Sequence, residues 1–574
     1  MLKTLNATQT EAVTFGDGPL LILAGAGSGK TRVLTSRIAY LVLEKGVAPS
    51  SILAVTFTNK AAGEMRERLT RLIGEESRSL WLGTFHSLGL RLLRKEARAS
   101  GVSADLTVYN EDDQLSLVKK VMAELSINEK TFSPKAILSR INQAKNENIG
   151  PSEFSSHSKD FLSERASRVY SLYQKRLREM GCMDFGDLIC EPIRLLKHNP
   201  GVLKRYQERF RHVLVDEYQD TNRAQYEFTN LLASGSRNLM AVGDPDQSIY
   251  AWRGADISNI LDFEKDYPDA TVLRLEQNYR STANILSAAN SVIERNKKRL
   301  KKTLWTENSE GTRVVYEEAR DEYNEASLVL QRLKSVVSER RLSYRDFAVF
   351  YRTNAQSRVF EEQLIREGIP YAIVGGVRFY DRKEIRDAIA YLRIISNPND
   401  SLSLQRVINT PPRGIGKVTF EKVQKLASDH NMPLFEAFKD AVERGILNKT
   451  KVKDFIEAYE EFRINIGQLS LHELTLRYLE DSGYMMMWQE ERTEEAAERV
   501  ENLFELVSAI KDFETANPGA TVSDFLDQAA LISDIDSYEE NSDKLTLMTL
   551  HSAKGLEFKV VFLAGMEEGL FPHS

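Results

Sequence analysis

The sequence predicts an α/β protein: two parallel-sheet units, each interrupted by a mainly helical insertion. Three observations predict it. Leu20–Thr31, Leu-Leu-Ile-Leu-Ala-Gly-Ala-Gly-Ser-Gly-Lys-Thr, is a short apolar strand that runs into a glycine-rich turn and opens a helix. Short apolar runs with polar C-terminal ends recur at 52–57, 81–87, 212–217 and 238–243, and again at 347–351, 370–374 and 544–550. Between them, about 88–195 and 383–543 carry a helical pattern.

Composition bounds the rest. A chain of 574 residues with 42% apolar and 28% charged residues is a multidomain globular protein, neither disordered nor fibrous. No apolar run reaches the length of a membrane span, and Met1–Asn6 lacks the apolar core of a secretion signal. Cys182 and Cys190 alone build neither a disulfide framework nor a zinc site, and read as buried small residues. The expected compartment is the cytoplasm, with no membrane partner. A net charge of −6 confines any nucleic-acid binding to local patches.

The elements follow in order. Asn6 caps a short helix carrying Gln9, whose amide can donate and accept at an adenine edge. The turn Ala24–Thr31 has the layout of a phosphate-binding loop, with Ala24 where the strict pattern has glycine. Its backbone N–H groups and the helix N-terminus favour phosphate, Lys30 reaches the β- and γ-phosphates, and the Thr31 hydroxyl suits Mg²⁺. The strands ending at Phe57 and at Phe85-His86-Ser87 put hydroxyls, amides and rings where an open sheet binds ligands. Phe57 or Phe85 can stack a base or simply fill the core. The block from about Leu88 to Leu195 reads as helical without strands, and Met183–Leu188 in it is polar with no assigned chemistry. The strand His212–Val215 ends in Asp216-Glu217: one carboxylate for Mg²⁺, one for the attacking water. After the next strand, Gln247 can sense a γ-phosphate, and Tyr250, Trp252 and Arg253 form a stacking surface with a cation. Tyr279 offers a face to adenine, and Arg280 is a candidate arginine finger, expected to reach across from the second unit. The cations Lys297, Lys298, Arg299, Lys301 and Lys302 read as a solvated face.

The second unit starts near Gly311, with strands expected at Arg313–Tyr316 and Phe347–Tyr351 and no phosphate loop of its own. Within its insertion, Arg413-Gly414-Ile415-Gly416-Lys417 is either a turn that grips a duplex phosphate or a plain helix-to-helix loop. The chain returns to sheet at Lys544–Thr549 and ends that strand in a polar, basic turn, His551 to Phe558.

Together these motifs resemble the superfamily 1A DNA helicases, the UvrD/Rep/PcrA family, over nearly the whole chain. The similar stretches are Leu5–Val13, Ala24–Thr31, Thr56–Ala62, Gly83–Ser87, Val215–Asp220, Val242–Ala255, Gln277–Ser281 and Thr549–Phe558. The resemblance implies two RecA-like domains: 1A at 1–90 and 196–280, and 2A at 281–376 and 544–574. It also implies helical insertions 1B at 91–195 and 2B at 377–543. It implies ATP and Mg²⁺ in the cleft between 1A and 2A. The nucleotide would be held by Gln9, by Ala24, Gly25, Ala26, Gly27, Ser28, Gly29, Lys30, Thr31 and Arg32, and by Tyr279, Arg280 and Glu557. Metal would sit on Thr31 and Asp216. Lys30, Asp216, Glu217, Gln247 and Arg280 would carry catalysis. DNA contacts are implied for Thr56, Phe57, Asn59, Phe85, His86, Tyr250, Trp252, Arg253, Arg352, Arg413, Gly414, Gly416, His551 and Lys554. The expected activity is 3′-to-5′ movement on single-stranded DNA and unwinding at single–double strand junctions, in repair or replication. The alternatives are a translocase that strips bound proteins, or a DNA-binding fragment with weak ATPase. The family has a further motif, with a second catalytic arginine, after Phe558. This sequence stops before it, so the expectation is a truncated chain, with impaired ATP turnover if it is complete.

Overall fold

The computed structural model describes residues 2–571 apart from 103–105, 130, 158–159, 252–253, 297–298, 353–355, 375–381, 448–449, 492–493 and 532–542. The first sheet has six strands, β1 (Leu20–Ala24), β2 (Ile52–Thr56), β3 (Trp81–Thr84), β6 (His212–Val215), β7 (Leu239–Gly243) and β8 (Thr271–Leu275), in the order β3-β2-β6-β7-β1-β8. All pairs are parallel. Every residue of β1, β2, β6 and β7 is buried, as continuous apolar runs between two helical layers must be. Alternation sorts them by face. Leu21, Leu23, Leu53, Val55, Val213 and Val215 join one core, and Leu20, Ile22, Ile52, Ala54 and Leu214 the other.

The first helical block is not free of strands. β4 (Thr107–Tyr109) and β5 (Cys182–Asp184) form a two-stranded parallel pair that ties its ends together. Three residues each are too short to show a period in sequence. Helix Asp187–His198 leaves this block and packs Ile189, Ile193 and Leu196 under the first sheet. Both cysteines are buried and free.

The second sheet has β9 (Phe347–Tyr351), β10 (Tyr371–Val374), β11 (Leu545–Thr549) and β12 (Val560–Leu563), all parallel, in the order β10-β11-β9-β12. The strand expected at Arg313–Tyr316 is absent: Val314, Val315 and Tyr316 are 63%, 64% and 83% exposed and lie outside both sheets. β-propensity there has no described edge to pair with, and without one it forms no strand. The second helical block has its own aromatic core around Tyr391, Phe455, Tyr459, Tyr478 and Tyr484. No described helix is long and apolar enough to cross a membrane.

Candidate nucleotide and DNA site

β1 delivers the chain to the glycine turn at the C-terminal edge of the first sheet, where open parallel sheets bind ligands. Gly25 N–H donates to Leu275 O of β8 at 3.1 Å, and the Ser28 hydroxyl donates to Gly25 O at 2.7 Å. Gly27 lies at φ +63°, where a Cβ would meet Asn278 Nδ2 at 2.6 Å. The turn thus needs glycine there for both its backbone angle and its neighbour. Helix Lys30–Leu43 begins at the loop lysine.

Lys30 is the centre of the site. Its ammonium lies 3.1 Å from Glu217 Oε1 and donates to Gln247 Oε1 at 3.1 Å. Burial works against its charge, but Glu217, Asp244 and Asp216 outweigh burial and raise its pKa above the usual lysine value. Asp216 and Glu217 directly follow β6, and Glu217 takes a left-handed backbone at φ +51°. Asp216 Oδ1 accepts from Glu217 N–H at 3.0 Å. Burial and the Glu217 charge push Asp216 up to about 7. Burial pushes Glu217 up as well, but Lys30 and Lys554 outweigh it and hold this carboxyl below its usual range.

Gln219 joins the acidic strand end to the loop after β7. It is fully buried, its Nε2 donates to Glu217 Oε2 at 2.6 Å, and its Oε1 accepts from Asp244 N–H at 2.9 Å. Asp244 Oδ2 in turn accepts from Gln247 Nε2 at 2.8 Å. Gln219, Asp244 and Asn278 were not singled out in the sequence. All three are polar residues shortly past strands of the first sheet, and that position is the signal that could have found them.

Gln9 is 1% exposed and its amide is engaged at both ends. Nε2 donates to Ser28 O at 2.9 Å, and Oε1 accepts from Asn6 N–H in a capping box. Asn6 Nδ2 donates to the Tyr279 hydroxyl at 2.8 Å, which leaves Tyr279 45% exposed beside the loop. Arg32 is exposed and donates to Thr4 O. Thr31 is half-buried at the helix start.

Arg280 does not arrive from the second sheet. It follows β8 of the first sheet, and Tyr279 N–H donates to Gly27 O at 2.9 Å. Asn278 donates to Ala26 O and accepts from Arg280 N–H. Only four residues separate Arg280 from the end of β8, the sheet neighbour of β1, so it stays beside the glycine turn. The second sheet supplies its partner instead: Arg280 Nε donates to Glu557 Oε2 at 2.7 Å.

The DNA expectations divide. Phe57 and Tyr250 stack with ring centroids 5.7 Å apart and planes 9° apart. His86 meets Phe185 edge-on at 5.6 Å, and burial pushes its pKa down to about 4, so it is neutral near pH 7. Phe185 lies in the stretch Met183–Leu188 left unassigned from sequence. Asn59 is half-buried at the start of helix Asn59–Ile73, and Arg352 approaches a His551 ring nitrogen at 3.0 Å. Thr56 and Phe85 are 1% and 2% exposed, so both lie inside the first domain rather than on a DNA face. Phe85 joins the sheet core because helix Phe85–Lys95 turns that side chain inward. Lys554 also turns inward: its ammonium pairs with Asp220, donates to Gln247 O at 2.7 Å and sits 4.9 Å from the Tyr250 ring centre. Trp252 and Arg253 lie outside the described residues.

Arg413 is a further correction. It is 3% exposed and donates to the carbonyls of Val407, Ile408, Thr410 and Ser482 and to the Tyr391 hydroxyl, with its guanidinium 4.5 Å from the Phe455 ring centre. Four converging carbonyls need a cation with many donors, so Arg413 braces the loop from within. Gly414 and Gly416 stay exposed on it. The cation run read as a solvated face is not uniformly so: Lys302 is 7% exposed and paired with Asp244 and Asp246, while Lys297 and Lys298 lie outside the described residues.

A glycine turn of phosphate-loop pattern at the edge of one parallel sheet, with side chains of a second bonded beside it, defines a two-sheet nucleotide-binding protein. The UvrD/REP helicase N-terminal domain family matches residues 5–268, and the UvrD-like helicase C-terminal domain family matches residues 273–574. The chain therefore belongs to the UvrD/REP helicase family. It is similar to the ATP-dependent DNA helicase PcrA of Bacillus subtilis strain 168, 47% identical over 584 residues, covering 100% of this chain and 79% of that protein. The proteins of the same name from Staphylococcus aureus strain Mu50 and Staphylococcus epidermidis RP62A are also 47% identical, with the same coverage.

Proposed function

We propose that this chain is an ATP-dependent DNA helicase that moves 3′ to 5′ on single-stranded DNA and opens duplex at junctions. The names of its relatives support the ATP and DNA parts of the reading. The observation that carries it is the loop Asp244–Tyr250. One end of this loop touches Lys30 through Gln247, and the other presents Tyr250 to Phe57. The Gln247 carbonyl also accepts from Lys554 of the second sheet. Lys30, the Phe57–Tyr250 pair and the second sheet thus meet at one short segment.

Thr31 and Asp216 fit Mg²⁺: one hydroxyl and one carboxylate leave the remaining positions to phosphate oxygens and water, as this cation prefers. Bound there, the metal would neutralise charge on the β- and γ-phosphates. Lys30 would exchange Glu217 and Gln247 for phosphate. Glu217, still beside the Lys554 charge that favours its ionised form, would then be free to accept a proton from water. Arg280 would turn from Glu557 to the phosphate, which links hydrolysis to the contact between the sheets. Stacking on Phe57 and Tyr250 holds any base by its face, about 1–3 kcal/mol each, and so tolerates any sequence.

The test is steady-state ATP hydrolysis with and without single-stranded DNA, beside Lys30→Ala, and strand displacement on 3′- and 5′-tailed duplexes. DNA-stimulated turnover that falls at least about 100-fold in the variant, with displacement only from the 3′ tail, is expected. Displacement from the 5′ tail would reject the polarity. Turnover without displacement would favour a translocase that strips bound proteins.

A further inference from the structure

We infer that Lys302, backed by Arg299, is a positioning residue that sets Gln247 for the hydrolytic step; this rests on the ATPase reading above. The cation run before Trp305 is not uniformly solvated. Lys301 is exposed, whereas the Lys302 side chain is 4% exposed and its ammonium meets both Asp244 and Asp246, the latter at 2.8 Å. Arg299 adds two bonds to Asp246, at 3.2 and 2.9 Å, and a third to Lys302 O at 2.9 Å. Two carboxylates and two cations therefore balance in a nearly dry cluster.

The cluster controls an amide. Asp244 Oδ1, paired with Lys302, also accepts from Asp246 N–H at 3.0 Å, and Oδ2 accepts from Gln247 Nε2 at 2.8 Å. With its NH₂ end held by Asp244, Gln247 must turn its oxygen to Lys30, where it accepts at 3.1 Å. Lys302 fixes the Asp244 carboxylate, and that carboxylate fixes which end of the amide faces the phosphate site. A free Asp244 could rotate, and Gln247 could then present NH₂ to an ammonium, a repulsive pairing.

The same strand of chain touches the other loops of the site. Leu304 packs so closely on Gly25 that a Cβ there would lie 2.1 Å from its Cδ2. Trp305 O accepts from Asn278 N–H at 2.7 Å, next to Arg280. Residues 302–305 thus strap the Gln247 loop, the phosphate loop and the Arg280 segment into one register.

The experiment is a double-mutant cycle on DNA-stimulated ATPase with Lys302→Met, Gln247→Ala and the double variant. Lys302→Met is expected to lower kcat about 10-fold or more while KM for ATP moves less than about threefold. The double variant should match Gln247→Ala within about twofold, because the lysine acts through that amide. Lys302→Arg should recover part of kcat. A Lys302→Met protein with parental kcat overturns the proposal. So does a double variant whose loss is the product of the single losses, the signature of a merely structural lysine. Arg299→Ala, at the rim of the cluster, gives the same cycle at about threefold amplitude if Lys302→Met does not fold, and multiplicative losses there overturn it equally. A parent protein without ATPase rejects the hydrolytic reading and this proposal with it; an active parent matched by Lys302→Met rejects this proposal alone.

Discussion

Asp216 and Glu217 are adjacent carboxylates with opposite fates. Burial and the neighbouring charge push Asp216 up to about 7, while Lys30 and Lys554 overcome burial to hold Glu217 ionised. Below pH 7 a metal entering the site must displace a proton from Asp216, and above it need not. The apparent affinity for Mg²⁺ with nucleotide should therefore rise from pH 6 to pH 8 and level off, and Asp216→Asn should flatten that rise. A Mg²⁺ titration followed with a fluorescent nucleotide reads both. Arg413 carries a different lesson. In sequence it stands beside Gly-Ile-Gly like a phosphate ligand, yet its five acceptors all lie inside its own domain. Arg413→Ala is expected to destabilise the second insertion by about 3 kcal/mol or more, since several carbonyls lose a charged donor together. Lys417→Ala, on an exposed side chain, should change stability by less than about 0.5 kcal/mol. Thermal unfolding of the two variants compares them, and equal melting curves would reject the bracing role.

Single elements were the most legible level. β1 and its glycine turn, the acidic end of β6 and the polar loop after β7 all fall where apolar runs meet small or charged residues. Such boundaries are local, so sequence reads them. β4, β5 and Arg313–Tyr316 escape a local reading because a strand exists only with a partner, and partners are distant in sequence. Helix Pro134–Asn146 gives a similar case. Its Lys145 is buried against Asp184 at 2.6 Å and Asp187 at 2.7 Å, both in the polar stretch that chemistry alone could not assign. Burial disfavours this ammonium, but the two carboxylates outweigh burial and raise its pKa. Lys145→Met leaves both acids without their cation and should cost about 3–5 kcal/mol. Adding Asp184→Asn and Asp187→Asn should return part of that loss. Denaturant unfolding of the three proteins measures it; a single variant as stable as the parent would mean the pair contributes nothing.

At the scale of the whole molecule, the two insertions touch each other. Arg393 of helix Lys383–Ser396 pairs with Asp113 and donates to Val108 O at 3.2 Å. Tyr109 donates to Asp400 Oδ1 at 2.9 Å, and Asn397 donates to Met180 O at 3.0 Å. These pairs join residues 217 to 291 positions apart, and Leu402 of the second insertion adds an apolar contact by entering the core of the first. Arg393→Ala should loosen the second insertion from the first and raise the radius of gyration in small-angle scattering. Identical scattering curves would place the hold in the other contacts.

By itself the sequence determined the α/β class, the two insertions, the glycine turn that ends at Lys30 and the carboxylates Asp216 and Glu217 just past β6. Each of these is written in a few consecutive residues, as a period, a glycine spacing or a charged strand end. Tertiary structure alone decided which polar side chains turn into the protein. It turned Lys554 onto Asp220, Arg413 into its own loop and Lys302 onto Asp244, and it hung Arg280 from the first sheet instead of the second. The physical reason is that a cation goes to whichever carboxylate or carbonyl the fold brings near. That neighbour lies 334 residues away for Lys554 and 58 for Lys302, beyond the reach of any local pattern.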